Sequence, residues 1–518
     1  MTVHSPNVTE RRSGASNADV RRSIRNMGLR WQASLEGNTP DRILPWILAA
    51  VFFVLLAALS LARFRSLELS EQLAAWMQGV WLIGEGFETN VTLTDRDVFE
   101  GQLSIIMWPI AQVAVFLPTG PFLLTLQSFA LAIGVVPVWR LARRVLELGV
   151  ESALVLSLAF GLQPQFQNLN LAEFHPESLA LPALLWAYVF SQDKRWVPFA
   201  FAVVFALSTR SDLGLVLVGF GALLAIEGRI KAGRITAAFG ALWVVVAIVV
   251  FNADLAGGEF VFSEAFAAYG NGPISILWAM LTNPLQVLAD FFAEENYRKL
   301  VLLFVPWLFL PVLRPRFQLP LVLFGAFGFI ADIPTNELGN PQQDVAALAF
   351  LPIAAAFALR AVGRRSVQRV FVSGRLLGGV LFASLAFFLF SAGSSLYNEP
   401  WTWGVRSTQD IDLLTAIETV EPDESVVAIQ AALPQLAERV DILAFPVGLD
   451  IYRPGDEIFA AEVFIIDEAD GAWNDTGRST FDQVIEALGF DVTSRSGSIS
   501  VYRRTPEAVA ALELESDS

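Results

Sequence analysis

From residue 45 to residue 393 the chain is a succession of apolar segments broken by short polar hinges, and this run decides the fold class. The first segment, 45–62, reads PWILAAVFFVLLAALSLA and carries no charge. An apolar helix of about 17–25 residues spans a bilayer. Hydrophobic residues make up 54% of the chain and charged residues 17%, with 14 Trp and 41 Phe. A soluble fold would have to bury too much apolar surface to match this, so the segments read as membrane helices. The expected fold is mainly α: a polytopic membrane helical bundle with a small C-terminal α/β soluble domain.

Charge divides the chain further. Residues 394–518 hold 24 acidic and 7 basic side chains, so this segment exceeds the whole chain's balance of -16 and the remainder is close to neutral. Residues 1–40 are polar and arginine-rich, without the apolar core of a signal peptide, and read as a disordered cytoplasmic tail. Arg21, Arg22, Arg25 and Arg30 precede the first span and hold that end inside. Membrane anchoring accounts for them without a nucleic-acid partner. The chain has no cysteine and two histidines, His4 and His175, which excludes thiolate chemistry and a histidine-cluster metal site.

The region 41–393 reads as about eleven spans, near 45–62, 121–139, 150–163, 178–191, 197–209, 213–226, 235–253, 300–313, 317–331, 345–359 and 376–393. Residues 63–120 form an outer loop after the first span, with interface helices near 69–83 and 103–117. The second is apolar enough to span. Were it to do so, Arg140, Arg143 and Arg144 would lie outside, against the bias of basic residues to the cytoplasm. With 103–117 on the surface, the inner loops contain Arg143/Arg144, Lys194/Arg195, Arg229/Lys231/Arg234, Arg314/Arg316 and Arg364/Arg365/Arg369. This gives a multi-pass cell-membrane protein with a cytoplasmic N-terminus and an extracytoplasmic C-terminal domain. Arg63 and Arg65, just past the first span, break the pattern.

Residues 394–506 change register. Strand-length runs at 425–429, 440–444, 463–466 and 498–502 alternate with helical stretches at 409–419 and 480–488, which suggests an α/β domain with a partly parallel sheet. Residues 507–518 read as a disordered acidic tail.

Four polar clusters could carry chemistry. The insert holds Glu68, Glu71, Glu85, Glu88, Asp95, Asp97 and Glu100; a carboxylate held against the bundle can act as a general base or bind a divalent metal ion, though no spacing fixes a metal site. The segment 168–177 packs Glu173, His175 and Glu177 into five residues, an acid–base or phosphate-facing arrangement. In 208–212, Arg210 sits at a span end with Asp212, either neutralised by it or free to grip phosphate oxygens. Asn336, with Gln342 and Gln343, could hydrogen-bond a sugar or a neighbouring helix. No nucleotide-binding glycine fingerprint and no serine elbow is present.

The order of these features resembles the DUF2079 family of predicted membrane proteins. The likeness runs over roughly 60–505. It rests on WMQGVWLIGEG at 76–86, on Gln127, Pro137 and Arg140 to Arg143, on NLAEFHPE at 170–177, and on LPQLAER at 433–439 followed by Phe445 and Pro446. The family's plan is similar to that of the GT-C glycosyltransferases, which use polyprenyl-phosphate-linked sugars and carry a catalytic carboxylate in the first outer loop. That resemblance implies catalytic roles for Glu71, His175 and Glu68. It implies substrate-binding roles for Arg210, Asp212, Gln78, Trp81, Gln102, Glu173, Glu177 and Asn336. The partners implied are a polyprenyl-phosphate lipid or glycolipid, the bilayer and cell-envelope proteins. The sequence departs from the family pattern at three polar positions: Glu71 and Gln72 where an aspartate is usual, Gln102 where a histidine is usual, and Arg210-Ser-Asp212 for a Lys-Glu-Asp motif. A non-catalytic transporter or scaffold for envelope glycan or lipid assembly is the alternative. Transport places ionisable residues at mid-span, whereas here they gather at the outer ends.

Overall fold

The computed structural model describes residues 38–252, 263–330, 341–366, 369–396 and 404–508. Asn336, most of the N-terminal tail and most of the acidic tail lie outside these residues. The fold is a helical membrane bundle joined to a small mixed β-sheet domain. Among the described residues five helices are long and apolar enough to cross a membrane: Thr39–Arg65, Thr119–Val145, Ile230–Val249, Pro341–Val362 and Gly374–Ser391. Val150–Gly161, Trp196–Thr209 and Leu213–Ile226 are apolar but shorter, and Pro273–Thr282 with Pro284–Phe291 form a pair bent by 95°. The count of eleven spans stays an expectation.

One expected span is not a single helix. Over 300–313 the helix Glu294–Phe304 gives way to short 3-10 turns at Val305–Trp307 and Leu310–Leu313. Pro306 and Pro311 cannot donate the helical hydrogen bond, and Leu308 and Phe309 between them adopt left-handed backbone with φ of 50° and 55°.

Close packing holds the bundle together. In lipid the hydrophobic effect does not drive helices together, so tight contact has to. Leu213–Ile226 and Ile230–Val246 form a hairpin whose glycines face each other. A Cβ on Gly214 would lie 2.6 Å from the Gly240 carbonyl oxygen, so the backbones touch. Deeper in, Tyr188, Phe220, Phe317 and Phe350 pack ring on ring.

The basic loops meet at one end. Arg143 donates to Asp41 at 2.6 Å, Arg144 pairs with Asp193 at 3.2 Å, Arg369 donates to the Arg143 carbonyl at 2.6 Å, and Arg229 donates to Gln192 at 2.7 Å. The insert occupies the opposite end. Its helix Glu71–Glu85 stops at Gly86, which takes the left-handed conformation (φ 81°) and donates to the Leu82 carbonyl at 3.0 Å. A two-stranded hairpin, Asn90–Val91 with Arg96–Asp97, follows. The 103–117 segment holds the helix Met107–Ala114. Eight residues at 1.5 Å each reach about 12 Å, well short of a hydrocarbon layer of about 30 Å.

The five-stranded sheet of the soluble domain runs in the order Ile442–Ala444, Val426–Ala428, Val463–Asp467, Ile499–Arg504, Phe490–Ser496, with the first three strands parallel and the rest antiparallel. Side chains alternate across it. Val427, Phe464, Ile466 and Tyr502 pack on one face with Phe481 and Ile485 of the helix Asp475–Ala487. Val426, Ala428, Val463, Ile465 and Val501 belong to a second core, which also contains Leu73, Ala74, Met77 and Val80 of the insert helix. The boundary expected at 394 is therefore crossed by a common core. The edge strand Phe490–Ser496 was not foreseen: it is largely polar and mostly exposed, so it lacks an apolar strand signature.

Candidate functional site

At the insert end, four chain segments converge. The 168–177 stretch is buried almost throughout and is pinned from several sides. Asn170 donates to the Leu56 carbonyl at 3.0 Å and to Ser60 at 2.8 Å, both on the first helix. Gln127 donates to the carbonyls of Leu169 (2.9 Å) and Glu173 (3.0 Å) and accepts the His175 N–H at 2.8 Å. One amide on the second long helix thus sets the path of the histidine loop.

That loop in turn sets the insert helix. The helix Glu71–Glu85 begins at Ser70, whose own side chain makes no cap bond. Glu173, a hundred residues on, takes over the capping. Its carboxylate accepts from the Ser70 N–H at 2.7 Å, from the Ser70 hydroxyl at 2.6 Å, and from the Leu73 N–H. Such N–H groups have no partner within a helix, and a carboxylate complements the positive N-terminal end. The 102–106 stretch is stitched to 208–211 by backbone bonds from Ile106 to Ser208 and from Ser211 to Gln102, both 2.8 Å, and by Ser104 donating to the Thr209 carbonyl at 2.9 Å.

These ties enclose a cleft of about 460 Å3. Glu71, Trp76, Gln102 and His175 line it, with Gln72, Arg96, Asp97, Glu100 and Gln342. Gln430 also reaches it, from the turn after the strand Val426–Ala428 of the soluble domain. Burial, and then the nearby Glu173 carboxylate, raise Glu71 above the ordinary carboxylate range. Burial lowers His175, against the pull of Glu177 and Glu173, and favours the neutral imidazole.

Arg210 lies behind this wall. Its guanidinium pairs with Glu177 at 3.0 Å and with Asp212 at 2.8 Å, and the Glu177 oxygen it holds is 3.9 Å from His175 Nδ1. Each carboxylate gives one oxygen to Arg210, so the positive charge is met inside the protein. Arg210 thus has carboxylate partners in the structure, and its expected role toward a ligand phosphate stays an expectation. Among the described residues, the far oxygen of Glu177, Arg210 Nε and Asp212 Oδ1 are buried without a hydrogen-bond partner.

The remaining candidates sit elsewhere. Glu68 accepts from Ser66 at 2.7 Å and pairs with Arg63 at 3.4 Å, away from the cleft lining. The same bridge explains Arg63, which also donates to the Leu171 carbonyl. Gln78 is fully buried and donates to Thr92 and to the Val440 carbonyl, both at 2.8 Å, so it joins the insert to the soluble domain. Trp81 stacks on Phe87 with centroids 5.3 Å apart. Among the described residues no group of three or more His, Asp and Glu side chains is arranged to hold a metal ion.

Sequence reasoning missed Gln430 and Trp76 as cleft residues and named Gln72 only as a departure from the family pattern. Trp76 lies one turn beyond Gln72 on the face that carries Glu71, so helical periodicity could have found it. Gln430 follows a strand whose two neighbours run parallel to it, where such sheets place ligands.

None of the curated proteins compared with this chain matches it. Among solved structures, the crystal structure of ArnT from Cupriavidus metallidurans in the apo state is similar at 13% identity with a TM-score of 0.48, over 89% of this chain and 98% of that one. The family described as predicted membrane protein (DUF2079) matches residues 63–497, most of the chain including the insert, the histidine loop and the sheet domain, and the protein belongs to that family.

Proposed function

We propose that the protein is a membrane glycosyltransferase that moves a sugar from a polyprenyl-phosphate-linked donor to a hydroxyl acceptor at the outer membrane surface. The observation that carries this reading is a pair of cavities of opposite character lined by consecutive residues. The polar cleft contains Glu71, His175 and several amides. A second, mostly apolar cavity of about 310 Å3 is lined by Leu303, Phe304, Phe324, Phe329 and other apolar side chains, together with Lys299 and Asp344. Consecutive residues divide them, Gln342 lining the first and Gln343 the second. A lipid-linked sugar has the same two halves.

In this reading Glu71 takes the proton of the acceptor hydroxyl as its oxygen attacks the anomeric carbon. A carboxylate raised above its ordinary range is a better base than a free one. The bond from the anomeric carbon to the phosphate oxygen breaks, and the phosphate leaves with the lipid. His175, neutral at physiological pH, donates one hydrogen bond to the departing oxygen. Arg210 keeps Glu177 and Asp212 in place beside it.

The test is glycolipid and envelope-glycan profiling of a deletion strain complemented with the wild-type protein or with Glu71→Gln. Loss of one glycosylated product, restored by wild type and not by a stably expressed Glu71→Gln, supports transfer. A full product complement in the Glu71→Gln strain overturns it. A product that is made but fails to reach its destination favours the transporter reading.

A further inference from the structure

We propose that the soluble domain is part of the ligand site, with Gln430 as a specificity-determining contact to an uncharged or amine-bearing saccharide. The proposal rests on the glycosyltransferase reading of the cleft and adds to it which part of the chain reads the sugar.

Gln430 is held rigidly while its side chain is left unused. It follows the central strand Val426–Ala428, whose two neighbours fix it in register, and the Ile429 N–H donates to the Ile465 carbonyl at 3.1 Å. Beyond it the helix Leu433–Leu436 packs on the insert helix, and Gln78 and Thr92 bind the backbone at Val440 and Ile442. The whole turn is thereby locked to the helix that carries Glu71. Among the described residues the Gln430 amide has no hydrogen-bond partner, is exposed, and borders the cleft. An ordered backbone presenting a free amide to a cavity is suited to reading a ligand, because little conformational entropy is lost on binding.

The rest of the lining defines the ligand class. Gln102, Gln342 and Gln430 offer donors and acceptors of the kind that match sugar hydroxyls, and Trp76 offers a flat apolar face. Charge narrows it. Glu71, Asp97 and Glu100 face a single guanidinium, Arg96, which pairs with Glu100 at 3.8 Å. A sugar carboxylate would enter against three like charges, whereas a hydroxyl or an ammonium would not.

The experiment uses the full-length protein in nanodiscs and three probes: methyl glucoside, methyl glucosaminide and methyl glucuronide. Binding is measured by saturation-transfer NMR. The first two bind, and the glucuronide binds at least about tenfold more weakly. Gln430→Ala weakens the first two by up to about tenfold, the loss of one neutral hydrogen bond. Gln483→Ala, an exposed glutamine on the helix Asp475–Ala487, leaves binding unchanged. Binding within twofold of wild type for Gln430→Ala, tightest binding of the glucuronide, or no binding by any probe overturns the proposal. This readout needs no turnover. Gln430-dependent binding in a protein whose Glu71→Gln form still yields the full glycan would keep the saccharide site and remove the transferase. The reverse pattern would keep the transferase and remove Gln430.

Discussion

Replacing Glu173 with alanine tests whether the histidine loop organises the insert helix. The carboxylate accepts three hydrogen bonds at the start of Glu71–Glu85, two of them from backbone N–H groups. A hydrogen bond to a charged acceptor contributes about 1.5–3 kcal/mol net, and losing a helix cap costs about 0.5–2 kcal/mol. The three share one carboxylate and do not add, and water can reach part of the gap, so the expected cost is about 2–4 kcal/mol. At about 1.4 kcal/mol per tenfold, the first turn should open some 30- to 700-fold more often. Hydrogen–deuterium exchange across 70–77 reads this directly. The same change removes the second cause of the raised Glu71 value and leaves burial, the first. Glu71 then ionises at lower pH, so the acid limb of the activity profile moves down. Exchange at 70–73 within threefold of wild type, or an acid limb that moves up, would falsify this account of the loop.

Burial holds His175 below its ordinary value of 6.5, so below that pH the unfolded chain takes up a proton that the folded chain resists. Stability is complete above about pH 6.5 and declines as the pH drops toward the folded-state value; thermal unfolding between pH 7 and 5 should show this fall, and His175→Gln should reduce it. Gln78→Leu removes the donor to the Val440 carbonyl and one of the bonds to Thr92, which keeps the Ile442 N–H; at about 0.5–1.5 kcal/mol for each lost hydrogen bond, limited proteolysis in rising urea should release the sheet domain earlier than in wild type. Gly214→Val pushes a side chain against the Gly240 backbone, which has no rotamer with which to yield; a loss of about 1–3 kcal/mol should lower the unfolding midpoint of the purified protein.

What the sequence disclosed was what local pattern and charge can carry. Apolar length marked the bundle, and strand-length runs marked four of the five strands of the sheet. The basic loops 143–144, 194–195, 229–234 and 364–369 were grouped on one side by charge alone, and the contacts of Arg143, Arg144, Arg229 and Arg369 gather them at one end. Of the residues that the sequence singled out, Glu71, Gln102 and His175 line one cleft, while Arg210 is not among its lining residues. What stayed hidden depends on contacts between distant segments. Glu173 looks like one more loop carboxylate until Ser70 is beside it. Gln78, in a family-like motif, looked like a ligand contact, and only the position of Val440 makes it a structural joint. The break at Leu308 and Phe309 lies in a stretch apolar enough for a helix; its flanking prolines, Pro306 and Pro311, were the available signal.

The placement of Arg210 bears on how charge works in this cleft. A buried guanidinium with one carboxylate partner would leave no excess charge, and with two it sits inside a net negative cluster. Removing Arg210 is costly because it strands two buried carboxylates, so the triad of Arg210, Glu177 and Asp212 behaves as a fixed brace. That brace ties the 208–212 turn to the histidine loop, and backbone bonds from Ile106 and Ser211 tie the same turn to the insert. With both carboxylates in place, an anionic group of a ligand would be met by something other than Arg210. On the cleft side the cation is Arg96, exposed and loosely paired with Glu100. On the apolar side it is Lys299, 3.2 Å from Asp344. In the transferase reading, the donor phosphate would be met by one of these two cations, and the glutamines of the cleft would be left to the uncharged part of the substrate.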